Sequence, residues 1–311
     1  MLDIALLGCG GMMPLHNRHL TSLLLRHNGR MLLIDSGEGT QITLKQLGWG
    51  LKNIEIVCFT HFHADHISGL PGLLLTLGNS DKTDPLTLIG PPGLKNIVNS
   101  LCIIAPDLPF EIKFIELPHS PNPADEIPLF GYNISVLPLD HGMPCFGYSV
   151  KIKRLGKFNL EKAKALGLPR NYWSFLQRGE SVTYNGETYT PEMVMGNPRN
   201  GIKISYATDT RPTPGHVEFV RDSDVFVCEG LYGEGEKLEK ASSHKHMIFS
   251  EAAWIAKEAN VGELWLTHFS PAMPNPREFT SFATDIFENT VVGYDRLNKT
   301  IEFSDKINGS S

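Results

Sequence analysis

The densest chemistry in this 311-residue chain is the run Thr60-His61-Phe62-His63-Ala64-Asp65-His66, with three histidines and an aspartate inside six residues. In a loop that leaves a strand, His61 and His63 can converge on one metal while Asp65 and His66 turn toward a second, because neutral imidazole and carboxylate suit Zn2+ and similar cations. A lone histidine on an apolar face is usually a satisfied core residue. Four such groups packed this closely would repel one another or stay unpaired without a cation.

Two cations need more donors than these side chains supply, so further ligands are expected at other strand ends. His141 follows the β-like run Tyr132–Leu139, Asp209 follows Gly201–Ala207, and His268 follows Glu263–Thr267. Asp209 is the natural bridge: a carboxylate can offer one oxygen to each of two metals, whereas the other two are imidazoles.

The elements that must position these groups alternate along the chain. Runs rich in Leu, Ile and Val and bounded by turn residues predict strands at Leu2–Gly8, Leu20–Arg26, Arg30–Asp35, Ile54–Thr60, Leu86–Ile89, Phe146–Lys153 and Asp224–Cys228, besides the three above. Helical spacing predicts helices over Gly39–Leu47, His66–Leu77, Ser250–Ala259 and Asn275–Glu288, with another after Gly90-Pro91-Pro92-Gly93. This mixture predicts an α/β fold, organised as one domain spanning 1–311 with an insertion at 154–200. In that insertion a helix-like piece, Asn159–Leu166, leads to the aromatic patch Tyr172-Trp173-Ser174-Phe175 and a hairpin-like stretch at Asn185-Gly186.

Charge is unevenly spread. The chain carries −6 overall, yet Lys151–Lys203 holds ten basic and four acidic residues, hence +6, leaving −12 elsewhere. A uniformly acidic surface would repel a polyanion, but a basic excursion carrying exposed aromatics offers what single-stranded or looped RNA requires. No apolar stretch approaches the roughly 18 residues of a membrane span. The start Met1-Leu2-Asp3-Ile4 lacks the cationic and apolar regions of a signal peptide. Five widely spaced cysteines without a CxxC pair fit a reducing cytoplasm.

The run His61–His66, continued by Ile67-Ser68-Gly69-Leu70-Pro71-Gly72-Leu73-Leu74, resembles the signature of the metallo-β-lactamase superfamily in its ribonuclease Z branch. The likeness extends to Asp35-Ser36-Gly37-Glu38-Gly39-Thr40-Gln41, Asp140-His141-Gly142, Thr208-Asp209-Thr210, Cys228-Glu229-Gly230, His246 ahead of Glu251-Ala252-Ala253, and Leu266-Thr267-His268-Phe269-Ser270-Pro271. It implies an αββα sandwich with an inserted basic arm and two Zn2+ per chain, Mn2+ or another divalent metal being the alternative. His61, His63 and His141 would hold one metal and Asp65, His66 and His268 the other, with Asp209 between them. Asp65 would also orient the attacking water. His246, backed by Glu229, would protonate the leaving oxygen; His244 is its neighbour and competitor. Met247 stands where the family has Ser or Thr, and Gly230-Leu231-Tyr232 replaces Ala-Thr-Phe.

The implied activity is endonucleolytic removal of the 3′ trailer of precursor tRNA, leaving a 3′-hydroxyl, by a cytoplasmic homodimer. Candidate RNA contacts are Arg18, near the first loop, and Lys157, Lys162, Lys164 and Arg170 in the arm. The competing reading is a phosphodiesterase or other hydrolase of the same fold acting on a small substrate such as a cyclic nucleotide, which would need no remote basic arm. A non-catalytic RNA- or metal-binding protein is the other reading, and the complete set of seven candidate ligands argues against it.

Overall fold

The computed structural model describes residues 1–197 and 199–304. Pro198, inside the expected insertion, and residues 305–311, at the end of the expected domain 1–311, lie outside the described residues. The strands are β1 (Leu2–Gly8), β2 (Ser22–His27), β3 (Arg30–Ile34), β4 (Ile54–Cys58), β5 (Leu86–Gly90), β6 (Ile112–Glu116), β7 (Ile127–Leu129), β8 (Tyr132–Pro138), β9 (Phe146–Arg154), β10 (Val182–Tyr184), β11 (Glu187–Tyr189), β12 (Arg199–Ala207), β13 (Val225–Glu229), β14 (Leu264–Thr267), β15 (Thr290–Val292) and β16 (Leu297–Ile301).

Two seven-stranded sheets result, ordered β16-β1-β2-β3-β4-β5-β6 and β15-β14-β13-β12-β9-β8-β7. In the first, β1, β2, β3 and β16 run antiparallel, whereas β3 to β6 are parallel. In the second, β7, β8 and β9 are antiparallel and β12 to β15 parallel. Parallel neighbours need crossovers, and helices supply them. Thr40–Leu47, Leu70–Gly78 and Leu94–Leu101 link the parallel strands of the first sheet. Leu33, Val57 and Leu88 pack in one core with Leu70, Leu73, Leu74, Leu77, Leu94 and Val98 of these helices. Phe249–Glu258 connects β13 to β14 and buries Ala252, Ala253, Ile255 and Ala256.

The sheets face each other through buried aromatic hydroxyls. Tyr148 donates to the Phe59 carbonyl at 2.7 Å and Tyr132 to the Arg30 carbonyl at 2.8 Å, while the Thr21 and Thr267 hydroxyls meet at 2.7 Å. Each hydroxyl thus enters the interface with a partner, as burial demands. The layers run helix, sheet, sheet, helix, the sandwich that the sequence implied.

The described residues divide into two compact units, Met1–Lys151 with Lys203–Ile301, and Ile152–Ile202 with the described residues 302–304. The second builds a small core of its own from Ala163, Leu168, Leu176 and Val194, against which Phe158, Tyr172, Trp173 and Tyr184 pack. Its hairpin β10–β11 turns through Asn185 and Gly186, both at positive φ (52° and 82°), as the Asn-Gly pair predicts. The aromatic patch differs from expectation: Tyr172 and Trp173 lie in a helix, Arg170–Gln177, and are partly buried, so most of that aromatic surface serves the core.

Two predicted helices also differ. Asn275–Glu288 resolves into two short pieces, Pro276–Phe279 and Ser281–Thr284, and no continuous helix forms. His66–Leu77 breaks into Ala64–Ile67 and Leu70–Gly78 because the chain at Gly69 presses on another backbone: a Cβ on Gly69 would lie 2.0 Å from the Gly37 carbonyl oxygen. A Cβ on Gly37 would in turn lie 2.0 Å from the Asp65 carbonyl. The Asp35-Ser36-Gly37 loop and the histidine loop therefore interlock at backbone contact. Gly69→Ala is expected to destabilise the protein by about 1–3 kcal/mol, the range of overpacked sites, read as a fall in Tm. An unchanged Tm would show that the contact yields freely.

Candidate metal centre

In the first sheet Asp35 follows β3 and the histidine run follows β4; in the second, His141 lies beyond β8, Asp209 beyond β12 and His268 directly beyond β14, while Glu229 closes β13. Parallel strands send their carboxyl ends to the same edge, where open α/β sheets gather ligands. Asp35, Asp209 and His268 take positive φ of 62°, 56° and 58°. Non-glycine residues seldom adopt that region, and such strain concentrates where side chains are aimed for function.

The structure brings together all seven sequence-predicted ligands in two groups, His61, His63, His141 and Asp209, and Asp65, His66 and His268. In the first, His61 Nε2 lies 2.9 Å from His63 Nδ1, which lies 3.2 Å from His141 Nε2. Asp209 Oδ1 is 3.9 Å from His61 Nε2 and 4.0 Å from His141 Nε2. In the second, His66 Nε2 and His268 Nε2 are 3.3 Å apart, and Asp65 Oδ2 stands 3.6 and 3.5 Å from them. The other oxygen of Asp209, Oδ2, lies 3.1 Å from His66 Nε2 and 3.3 Å from His268 Nε2. One carboxylate thus turns an oxygen to each group.

The far side of the imidazoles shows why this arrangement suits cations. Buried Asp35 accepts from the Thr60 amide at 2.8 Å, from the Thr60 hydroxyl, and from His66 Nδ1 at 2.8 Å. His61 Nδ1 lies 3.0 Å from the Thr60 hydroxyl, whose proton goes to Asp35. With Nδ1 bearing the proton in both rings, each Nε2 turns a lone pair inward, the carboxylate-histidine pattern that orients metal-binding imidazoles. In the sequence Asp35 stands in a motif with no such role assigned; the available signal is an acid directly after an apolar run.

Inside the centre, lone pairs face lone pairs, and Asp209 Oδ2 is buried without a hydrogen bond. Burial opposes ionisation of Asp209 and Asp65, but the neighbouring imidazoles outweigh it and hold both carboxyls well below the usual range. Burial would likewise discharge His66, yet Asp209 and Asp35 raise it. The field that draws a proton onto His66 also draws a metal cation, which satisfies all donors at once. His61 is lowered by burial and by its neighbouring imidazoles, and His141 is lowered to about 4, chiefly by burial. Both are thereby neutral, as ligands must be. The donor set fits divalent metal.

Beside this centre His246 Nδ1 lies 2.9 Å from Glu229 Oε2, and the ring stacks on His268 with centroids 5.5 Å apart. Burial alone would lower His246, but Glu229 overrides it and lifts the imidazolium to about 9. His244 turns away to bond the Lys240 carbonyl and is exposed. The first loop closes over the other side: the Met12 amide donates to Asp65 Oδ2 at 2.7 Å, and a Cβ on Gly11 would strike the His268 ring at 2.7 Å.

The expected RNA contacts fare unequally. Arg18 is buried, and its guanidinium donates to the carbonyls of Ser270, Met273 and Pro274. Three of its five N–H donors are thereby engaged by the main chain, which counts against the expected phosphate contact. Lys157, Lys162, Lys164 and Arg170 are all exposed; Lys164 pairs with Glu161, Arg170 lies over the Trp173 ring, and Lys162 Nζ bonds the Met195 carbonyl. His216 is fully buried, and its Nδ1 accepts from the Thr213 amide. All five cysteines are free. No described helix is long and apolar enough to cross a membrane.

Comparison with known proteins finds relatives along nearly the whole chain. Ribonuclease Z of Clostridium kluyveri is 54% identical over 305 residues, covering 98% of this chain and 100% of the relative. Ribonuclease Z of Clostridium acetobutylicum is 54% identical over 306 residues, covering 97% and 99%. Among solved structures, the short form of human tRNase Z superposes with a TM-score of 0.69 at 22% identity, covering 96% of this chain and 99% of the other. YhfI of Bacillus subtilis, a metallo-β-lactamase fold protein, gives 0.68 at 17% identity, covering 96% and 98%. A family described as anti-Pycsar protein Apyc1 matches residues 2–102.

Asp35→Ala frees the rings of His66 and His61, and metal affinity is expected to fall about 10–100-fold, the scale for lost outer partners of ligands. Competition with a chelator measures it. Affinity equal to that of the unaltered protein would leave Asp35 without this role.

Proposed function

The chain belongs to the ribonuclease Z family, and from that premise we propose that it is the endoribonuclease that removes the 3′ trailer from precursor tRNA. The observation that carries this reading is full-length identity to ribonuclease Z: the match covers 98% of the chain, so it takes in the basic insertion as well as the metal centre. A small substrate would make no use of that insertion.

We assign one divalent ion, zinc or manganese, to His61, His63 and His141, a second to Asp65, His66 and His268, and a share of each to Asp209. When bound, such ions polarise a phosphodiester and lower the pKa of water. The chain's own residues do the remainder. Asp65, kept ionised and fixed by the Met12 amide, orients the attacking water and accepts from it. His246, charged through Glu229 and held by it at Nδ1, gives its other ring proton to the departing 3′ oxygen of the tRNA, so that the product is a 3′-hydroxyl. Lys157, Lys162, Lys164 and Arg170, all exposed in the insertion at 154–200, serve as salt-dependent phosphate contacts, Lys162 and Lys164 exchanging the Met195 carbonyl and Glu161 for phosphate.

We read the whole chain, 1–311, as one functional hydrolase carrying this arm, acting as a homodimer in the cytoplasm. Five free cysteines suit a reducing compartment. Ile103 and Ile104, each 74% exposed, offer apolar surface that a second copy would cover.

Deleting Lys157–Arg199 is expected to raise KM for precursor tRNA at least about tenfold, as lost phosphate contacts would, while hydrolysis of bis(p-nitrophenyl) phosphate stays intact. Equal loss of both activities would remove the arm's role. His246→Ala is expected to cut kcat on precursor tRNA by about 10²–10⁴, the usual worth of a positioned proton donor, with metal content unchanged. If that variant loses its metal, the proton-donor assignment is wrong.

A further inference from the structure

His246 is held at three points: Nδ1 by Glu229, the amide by the Ala241 carbonyl at 2.8 Å, and the carbonyl by Arg211. Its main chain lies in a loop after the helix Leu238–Ser243, with Lys245 at a φ of 59°. Besides main-chain bonds from His246 to Ala241 and from Leu231 to Met247, the side chain that ties this loop is Arg211. One guanidinium nitrogen, Nη1, donates to the His246 carbonyl at 2.6 Å and to Glu251 Oε2 at 2.8 Å; the other, Nη2, pairs with Glu251 Oε1. Such a planar fork fixes direction as well as distance, which a lysine ammonium cannot do. Glu251 is itself anchored, accepting the Ile248 amide at 3.1 Å at the start of the helix Phe249–Glu258. Both side chains are only 20% exposed.

Arg211 also reaches the other site loops through its backbone. Its amide donates to the Asp140 carbonyl at 3.2 Å, and Thr210 accepts the Asp140 amide at 3.0 Å, which ties the His141 loop to the Asp209 loop. The Thr210 amide donates to Glu229 Oε1, so both carboxylate oxygens of Glu229 are engaged. Lys245 closes the circuit by donating to Asp140 Oδ1 at 2.7 Å.

We infer that Arg211, braced by Glu251, is a positioning residue that sets His246 at the leaving-group side of the metal centre. The inference rests on the proposed trailer-removing activity. Arg211 touches neither substrate nor a ligand ring; it acts through the His246 main chain. Misplacing a catalytic group by about an ångström costs on the order of 10²-fold in rate, and here the loss must be confined to steps that need a proton donor.

Leaving-group dependence separates this role from a merely structural one. The 3′ oxygen of a tRNA needs a proton to depart, whereas p-nitrophenolate leaves without one. Arg211→Gln and Glu251→Gln are therefore expected to lower kcat on precursor tRNA about 10–100-fold, with KM unchanged, while kcat on bis(p-nitrophenyl) phosphate and metal content stay within about twofold of the unaltered protein. Arg211→Lys, which keeps charge but loses the fork, should recover only part of the loss. In a His246→Ala background, Arg211→Gln should cost nothing further. Equal losses on both substrates in both glutamine variants, a loss additive with His246→Ala, or full precursor cleavage in both glutamine variants would each overturn the inference. If the unaltered protein itself fails to cleave precursor tRNA, the underlying functional reading fails instead.

Discussion

The carboxylate of Asp209 is the constraint around which the rest of the molecule is arranged. It is buried, lies at positive φ, and places one oxygen against each of two imidazole groups, with Oδ2 lacking a hydrogen bond. An isolated buried carboxylate is costly, and crowding it with inward-facing imidazole lone pairs leaves those donors equally unsatisfied. Divalent cations between them answer both penalties. Asp35 and Thr60, which hold the outer nitrogens of His66 and His61, prepare those rings for that answer.

The sandwich follows from the need to bring these groups together. Donors separated by as many as 207 residues, from His61 to His268, meet because parallel strands in both sheets end at one edge. Close backbone crossings at Gly37 and Gly69 lock the histidine loop to the Asp35 loop, so the rigid part of the centre rests on main-chain contact. The His246 side rests instead on ion pairs, Arg211 with Glu251 and Lys245 with Asp140. A centre built this way supports the two candidate ligand groups and His246 by separate means.

Much of this was legible in the sequence. The HxHxDH spacing is local, and His141, Asp209 and His268 each follow an apolar run, so periodicity alone found them. What escaped depended on long-range contact. Arg18 reads as a free cation until Ser270, Met273 and Pro274 are seen to occupy its guanidinium. Tyr172 and Trp173 read as an RNA-facing patch, yet four buried residues elsewhere in the insertion claim them for a core. The Asn275–Glu288 pattern has helical spacing but starts at a proline and breaks into two short turns. The edge strands β6, β7, β15 and β16 are short and half exposed, which weakens the alternation that would reveal them. Asp35 and Arg211 act through partners distant in sequence, which no local pattern discloses.

The central claim is that one carboxylate is shared between two metal-holding groups. Elemental analysis of the purified protein, after expression with ample zinc and removal of loosely held ions, tests it most directly. The account predicts about two transition-metal ions per chain, as a two-metal centre requires. A ratio that stays near zero, or stops at one, would contradict it.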